Sequence, residues 1–311
     1  MPSMKAVRIH EFGSENVLRL ERIEQPEPGK GEVLVKIMAA SVNPVDWKTR
    51  NGDYPPVTEE DLPLIPGRDI AGEVAALGSG VSGLSVGDRV FAILGARHGG
   101  YEEYVSLPAT QLIAMPAGLS FDEAAAVPLA GMTAWQGLFQ HGNLVAGQRV
   151  LIHGGGGGVG HFAIQFAKAK GAWVGTTVSG ADVGLAKELG ADEVIDYTTV
   201  RFEDLIDPVD VVLDLVGGET RERSFDVLKE GGVMVSTLGE PDKQEAKRRK
   251  VRVTGFMVSP NTKQLTEIAD LIDRGEVKVV LHKVFPLEEA AAAQRALETE
   301  HVQGKIVLRV A

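Results

Sequence analysis

A short apolar run, Val150-Leu151-Ile152-His153, ends in five consecutive glycines, Gly154 to Gly158, and then in Val159-Gly160. An amphipathic segment, Phe162 to Lys170, follows. Strand, tight turn and helix in that order predict a dinucleotide-binding fold, and Gly155, Gly157 and Gly160 fit G-x-G-x-x-G. Glycine is needed because a Cβ would hold the backbone away from a pyrophosphate, whose charge the free N–H groups of the helix start receive. Five glycines in a row also fit a flexible linker, so the flanking elements carry the reading.

Those elements continue the pattern. From about Ala124, helices alternate with six candidate strands at 150–153, 173–177, 194–196, 209–215, 233–238 and 251–256. Gly171, Gly190 and Gly231 stand where helices should stop. Alternating β and α with continuously apolar strands implies a parallel sheet covered on both faces, and six strands is the count of the full doubly wound, or Rossmann, α/β fold. Residues before about 125 are β-rich instead, with short runs such as Val33 to Ile37 and Arg89 to Ile93 between Pro and Gly signals. After Pro260 come a helix at Thr262 to Arg274, a strand-like run at Val277 to Leu281, a helix at Leu287 to Glu298 and a strand at Lys305 to Val310. This tail is too short for a third domain. The expected division is a β-rich domain of residues 1–124 and 261–311 and a dinucleotide-binding domain of residues 125–260, with the ligand in the crevice outside the carboxyl ends of the parallel strands.

Composition removes several functions. The net charge of −11 argues against nucleic acid and anionic membrane surfaces as partners. The basic run Lys247 to Lys250 reads as a solvated helix end. With no cysteine there is no disulfide, thiolate nucleophile or thiolate zinc site. Met1 to Gly13 lacks the apolar core of a signal peptide, and no apolar run reaches membrane-spanning length, so a cytoplasmic location is the default expectation. No two histidines have H-x-x-x-H spacing, and no G-x-S-x-G elbow occurs. His153 reads as a core or near-cofactor histidine.

The segments Ala40-Ser41-Val42-Asn43-Pro44-Val45-Asp46-Trp47, Pro66-Gly67-Arg68-Asp69-Ile70-Ala71-Gly72, Val86-Gly87-Asp88-Arg89-Val90, Gly131-Met132-Thr133-Ala134-Trp135, Leu189-Gly190-Ala191-Asp192 and Gly304-Lys305-Ile306-Val307-Leu308 resemble, in order and nearly end to end, the medium-chain dehydrogenase/reductase superfamily. More narrowly they resemble its zinc-free quinone oxidoreductase branch. The resemblance implies a GroES-like catalytic domain beside the Rossmann domain, NAD(P)H use, and a homodimer or homotetramer. At the places where alcohol dehydrogenases of the superfamily bind catalytic zinc, this chain has Asn43, Arg68 and Leu129, which cannot build a tetrahedral zinc site. Hydride donation to an electron-poor acceptor, a quinone or an α,β-unsaturated carbonyl, does not need the metal.

On this reading Gly155, Gly157, Gly158, Val159 and Gly160 line the pyrophosphate. Ser179 follows the second strand, where an NAD-specific enzyme has an acid for the ribose hydroxyls, which favours NADPH, with NADH as the alternative. Ala181 departs from the Arg or Lys of many NADPH-using relatives, and Asp182 reads as a helix N-cap. The resemblance places Tyr197 at the adenine or phosphate, with a half-buried strand-end tyrosine as the alternative. It places Thr133 near the nicotinamide, unless its hydroxyl bonds its own helix. Val216, Gly217 and Leu238 end the fourth and fifth strands and face the cofactor. Phe256 and Met257 end the sixth, where their backbone would bind the carboxamide or their side chains fill core. Lys305 reaches a phosphate or lies on the surface. Asn43 would bond the nicotinamide ribose or the substrate oxygen, and Tyr54 would donate to the developing enolate or quinol oxygen; in a Gly52/Pro55/Pro56 loop it is otherwise a surface aromatic. Asp46 and Arg68 would form an ion pair beneath the site, or Arg68 would hold an anionic substrate. The expected function is an NADPH-dependent, zinc-independent quinone or enone reductase. Two other readings stay open: an NADPH-binding sensor or scaffold with little turnover, and an enoyl-thioester reductase.

Overall fold

A computed structural model describes residues 2–311. The chain forms two compact units, one of residues 1–129, 260–273 and 281–311 and the other of residues 130–259 and 274–280.

The second unit is the parallel sheet. Its strands are Arg149–His153, Trp173–Val178, Glu193–Asp196, Val209–Asp214, Leu228–Ser236 and Arg252–Gly255. Numbered one to six along the chain, they lie side by side in the order 3-2-1-4-5-6, every neighbour parallel. Val150, Leu151 and Ile152 of the first strand are fully buried, which is why that strand is apolar without alternation. The strand order reverses between the first and fourth strands, the switch point where this architecture opens a ligand crevice. The fifth strand begins five residues earlier than its apolar run, because an irregularity after Leu228 carries exposed Glu230 and Gly231 before pairing resumes at Val233.

His153 closes the first strand inside the core. Ser224 Oγ donates to the Thr220 carbonyl at 2.6 Å, so its contact with His153 Nε2 at 2.8 Å requires the ring to donate there. Nδ1 then accepts from Thr177 Oγ1 at 2.9 Å. Burial pushes the imidazole down to about 4. A neutral folded ring and a protonatable unfolded one make stability fall with acid between the unfolded value of roughly 6.5 and the folded value. At roughly 1.4 kcal/mol per unit, the loss at pH 4 is about 3 kcal/mol. Urea unfolding of His153→Gln at pH 7 and pH 4.5 should show a smaller acid loss than the parent; equal losses would refute the assignment.

The first unit holds a seven-stranded mixed sheet. Its path runs Leu281–Pro286, Lys305–Arg309, Glu32–Val42, Asp69–Leu77, Arg89–Ile93 and Ile113–Ala114, with Tyr104–Pro108 also paired to Glu32–Val42. Lys305–Arg309 runs parallel to Leu281–Pro286 and antiparallel to Glu32–Val42. The tail helices are Thr262–Asp273 and Ala290–Thr299. The strand expected at Val277 to Leu281 is absent. The Gln165 side chain takes both backbone groups of Lys278, accepting its N–H at 2.7 Å and donating to its carbonyl at 3.0 Å. Pairing resumes only at Leu281.

Candidate active site

At the carboxyl end of the parallel sheet the glycine run turns from His153 into the helix Gly160–Ala169. A Cβ on Gly160 would lie 2.1 Å from the Gly154 carbonyl oxygen, and one on Gly155 would lie 2.1 Å from Thr176 Oγ1. One on Gly156 would strike the Asp182 carboxylate at 2.5 Å. These three glycines are fixed by the fold itself. Gly157 is different: a Cβ there meets nothing nearer than the Gly154 oxygen at 3.5 Å. The amides of Gly158, Val159 and Gly160 find no acceptor among the described residues. The loop therefore presents unpaired N–H groups, these three among them, at a lip the protein's own atoms leave open, the arrangement an anion fits.

Exposed apolar side chains gather at the same sheet end. Tyr197 is 58% exposed, Val216 51%, Leu238 43% and Met257 65%, although Val216 and Leu238 follow buried strands. Asp214 and Ser236, which the sequence reading passed over, set the backbone there. Asp214 Oδ1 accepts from Val216 N at 3.0 Å and Gly217 N at 2.7 Å, and its Oδ2 accepts from Ser236 Oγ at 2.7 Å. Leu238 N donates to Ser236 Oγ at 3.1 Å. The available signal is an acid closing the apolar run Val211 to Leu213. Thr133 is buried in the helix Pro128–Trp135. Phe256 packs its ring on His141 at 4.6 Å, and its N–H donates to the Ser236 carbonyl at 3.1 Å, so that amide is not available to a carboxamide.

Ser179 Oγ donates to Asp182 Oδ2 at 3.2 Å. Asp182 is buried with its carboxylate turned on Gly156; it occupies the N-cap position of Val183–Glu188 but makes no capping bond from its side chain. Asp196 accepts from Thr198 N at 2.9 Å and Thr198 Oγ1 at 2.6 Å. Both carboxylates bordering this turn are engaged by their own loops.

In the first unit, Asn43 and Lys305 meet in a buried polar cluster. Lys305 Nζ donates to Asn43 Oδ1 at 2.5 Å and to the Val42 carbonyl at 3.1 Å. Asn43 Nδ2 donates to Asp69 Oδ2 at 2.8 Å and Ser41 Oγ at 3.4 Å. Asp46 Oδ2 accepts from Asn43 N at 2.8 Å and from Tyr101 Oη at 3.0 Å. Lys305 is therefore buried rather than a surface lysine, its ammonium held by Asn43 and the Val42 carbonyl, and the Asn43 amide donates within the same cluster. Burial pushes the Asp46 carboxyl up to about 7, raises Asp69 and lowers the Lys305 ammonium; the attraction among them opposes each shift.

The expected Asp46–Arg68 ion pair does not form. Arg68 turns instead to the Leu94 carbonyl at 2.7 Å and to Tyr54 Oη at 3.3 Å. Tyr54 is half-buried against Ile9, Val57 and Leu64, so its ring is held while its hydroxyl faces the guanidinium.

Comparison with known proteins matches residues 29–117 to the family model "Alcohol dehydrogenase GroES-like domain" and residues 189–308 to "Zinc-binding dehydrogenase". The chain is 39% identical to the 2-methylene-furan-3-one reductase of Solanum lycopersicum, over 98% of this chain and 79% of that one. It is 37% identical to the chloroplastic NADPH-dependent alkenal/one oxidoreductase of Arabidopsis thaliana, again over 98% and 79%. The solved structure of the quinone oxidoreductase from Coxiella burnetii superimposes with a TM-score of 0.92 at 40% identity, covering all of both chains.

Proposed function

Because the chain belongs to the medium-chain dehydrogenase/reductase superfamily, in its quinone oxidoreductase branch, we propose that this oxidoreductase uses NADPH to reduce a quinone or an α,β-unsaturated carbonyl. The observation that carries the reading is the glycine lip: three unpaired amides beside a Gly157 that only a ligand would crowd, flanked by exposed apolar strand ends suited to flat rings. When bound there, the nucleotide supplies a hydride. Gly158, Val159 and Gly160 hold its pyrophosphate; Tyr197, Val216, Leu238 and Met257 cover its apolar faces. Tyr54 supplies a proton to the reduced oxygen. Asn43 and Lys305 act by position, fixing the strand end and helix start that lead toward Tyr54.

A zinc ion does not fit these residues. Asn43 is an amide already bonded to Lys305, Asp69 and Ser41, Arg68 is a cation, and Leu129 is an alkyl chain. No group of three or more His, Cys, Asp or Glu among the described residues could hold a metal. No step of the proposal passes through one.

The preference for NADPH is supported by Ser179 in place of an acid and by the engagement of Asp182 and Asp196 within their own turns. Ala181 is exposed at this turn, so Ala181→Arg should add a charge-assisted contact to a 2′-phosphate. A gain of about 1.5 kcal/mol corresponds to roughly tenfold tighter NADP+ binding with NAD+ unchanged. Calorimetric titration checks it; equal gains for both nucleotides would remove the 2′-phosphate from this turn. The reading as a whole is tested by loss of nicotinamide absorbance with a benzoquinone, a naphthoquinone, an enone and a simple aldehyde. Oxidation with quinone or enone and not aldehyde is expected; no oxidation with any of them overturns it.

A further inference from the structure

Arg68 leads into the strand Asp69–Leu77 with backbone and side chain both turned on Leu94. Leu94 N donates to the Arg68 carbonyl at 2.7 Å, and Arg68 Nε donates to the Leu94 carbonyl at 2.7 Å. The inner edge of the guanidinium is thereby fixed. On the outer edge Nη1 donates to Tyr54 Oη at 3.3 Å, and Nη2 has no partner. Among the described residues no carboxylate pairs with Arg68. A guanidinium stays charged at any working pH. Half-buried and without a carboxylate partner, it leaves an open position for an arriving anion. Tyr54 Oη, already accepting from Arg68, has its own proton left to donate.

We infer that Arg68 and Tyr54 together form the seat for the oxyanion that develops on the substrate during reduction. The inference rests on the reductase reading above, and it names a charge source for a site whose metal-ligand positions are filled by other groups. In the balanced step a hydride with its electron pair forms a C–H bond at the β-carbon of an enone. The C=C pair shifts toward the carbonyl carbon, and the C=O pair moves onto oxygen. That oxygen takes the Tyr54 proton; the phenolate left behind sits against the Arg68 guanidinium until water returns the proton. The nicotinamide nucleotide is oxidised and the enone reduced by two electrons. With a quinone the same pair receives the hydroquinone oxygen.

The test uses the full chain with two readouts. Removing one oxyanion donor costs about 10²–10³-fold in kcat in general, so Arg68→Met should lose that much while its affinity for NADP+ is unchanged. With NADP+ present, the parent should bind 4-nitrophenol as its anion, visible by absorbance, and Arg68→Met should bind it at least about tenfold more weakly. Arg68→Lys, which keeps charge without the planar fork, should recover part of both losses. Should Arg68→Met not fold, Arg68→Lys decides, with a fall in kcat expected. If the parent reduces acceptors but the variants keep both kcat and anion binding within about twofold, the inference is overturned and the reductase reading stands. If the parent reduces no acceptor, the reading fails and takes the inference with it.

Discussion

Gly160→Ala is expected to abolish nucleotide binding and to destabilise the parallel-sheet unit. On propensity alone the substitution should help, since alanine in a helix is favoured over glycine by about 1 kcal/mol. Packing reverses the sign. The new methyl would lie 2.1 Å from the Gly154 carbonyl oxygen and 2.7 Å from Gly155 Cα, both backbone atoms that cannot rotate away. Overpacking of this kind costs about 1–3 kcal/mol, and relief requires the loop to move off the helix start. The amides of Gly158, Val159 and Gly160 would then no longer converge, so a loss of at least about 100-fold in NADPH affinity is expected, since three charge-assisted bonds are disturbed together. Gly157→Ala is the control. Its methyl meets only ordinary contact at 3.5 Å, so thermal stability should stay within about 0.5 kcal/mol of the parent. Nucleotide affinity should nevertheless fall, because the space taken is the ligand's. Fluorescence titration and thermal unfolding of both variants check the pair. Full NADPH affinity in Gly160→Ala would refute the loop's role; full affinity in Gly157→Ala would move the pyrophosphate elsewhere.

Lys305→Met should be the most destabilising single change in the first unit, and more so in alkali. Replacing every member of a buried ionic cluster by apolar residues is often neutral, but removing one member leaves its partners uncompensated, at a cost of about 3–5 kcal/mol. Here the partners are Asp69 and Asp46, both deep and both tempered by the Lys305 charge. A folded-state carboxyl raised to about 7 makes stability fall as pH rises from its ordinary value toward 7. Without the ammonium both carboxyls shift further up, so the fall continues to higher pH. Urea unfolding should therefore show a larger deficit for Lys305→Met at pH 8 than at pH 6. Adding Asp69→Asn should restore part of it, since the amide keeps an acceptor for Ser41 Oγ without the charge. A variant as stable as the parent at pH 8 would show that the cluster is not an ionic one.

These two residues also mark what could and could not be read in advance. The parallel sheet was legible because its central strands carry the apolar runs Val150 to Ile152 and Val211 to Leu213, and the helices Gly160–Ala169 and Val183–Glu188 end beside Gly171 and Gly190; Gly231, expected at a helix stop, lies instead inside the fifth strand. The fifth strand began early only because an irregularity put polar residues inside it. The nucleotide-facing residues could be ordered along the sheet end for the same reason: strand position fixes where a side chain emerges. Lys305 and Asn43 could not be placed. A lone lysine in Gly304-Lys305-Ile306 reads as solvent-facing, and nothing in its neighbourhood shows that Asp69 and Asp46 wait across a sheet assembled from the two ends of the chain. The expected Asp46–Arg68 pair failed for a related reason: periodicity places Arg68 before a strand, but only the fold turns its guanidinium onto the Leu94 carbonyl and Tyr54 and away from Asp46. Pairwise polar partners far apart in sequence are invisible to a local pattern.

The mixed sheet of the first unit also has a consequence for the chain while it is being made. Glu32–Val42, which precedes the parallel-sheet unit in the chain, finds one neighbour in Lys305–Arg309, which follows that unit. The cluster of Val7, Ala40 and Val42 is completed by Phe285, Leu287, Ala290, Ile306 and Leu308. Nearly all of the parallel-sheet unit, residues 130–259, is contiguous and can close while the chain is still growing. The first unit cannot. Glu32–Val42 can pair early with Asp69–Leu77 and Tyr104–Pro108, but its edge at Ala39 to Val42 stays open until residues 306–309 have been made beyond the whole intervening unit, which leaves that edge the stretch most in need of a chaperone's protection.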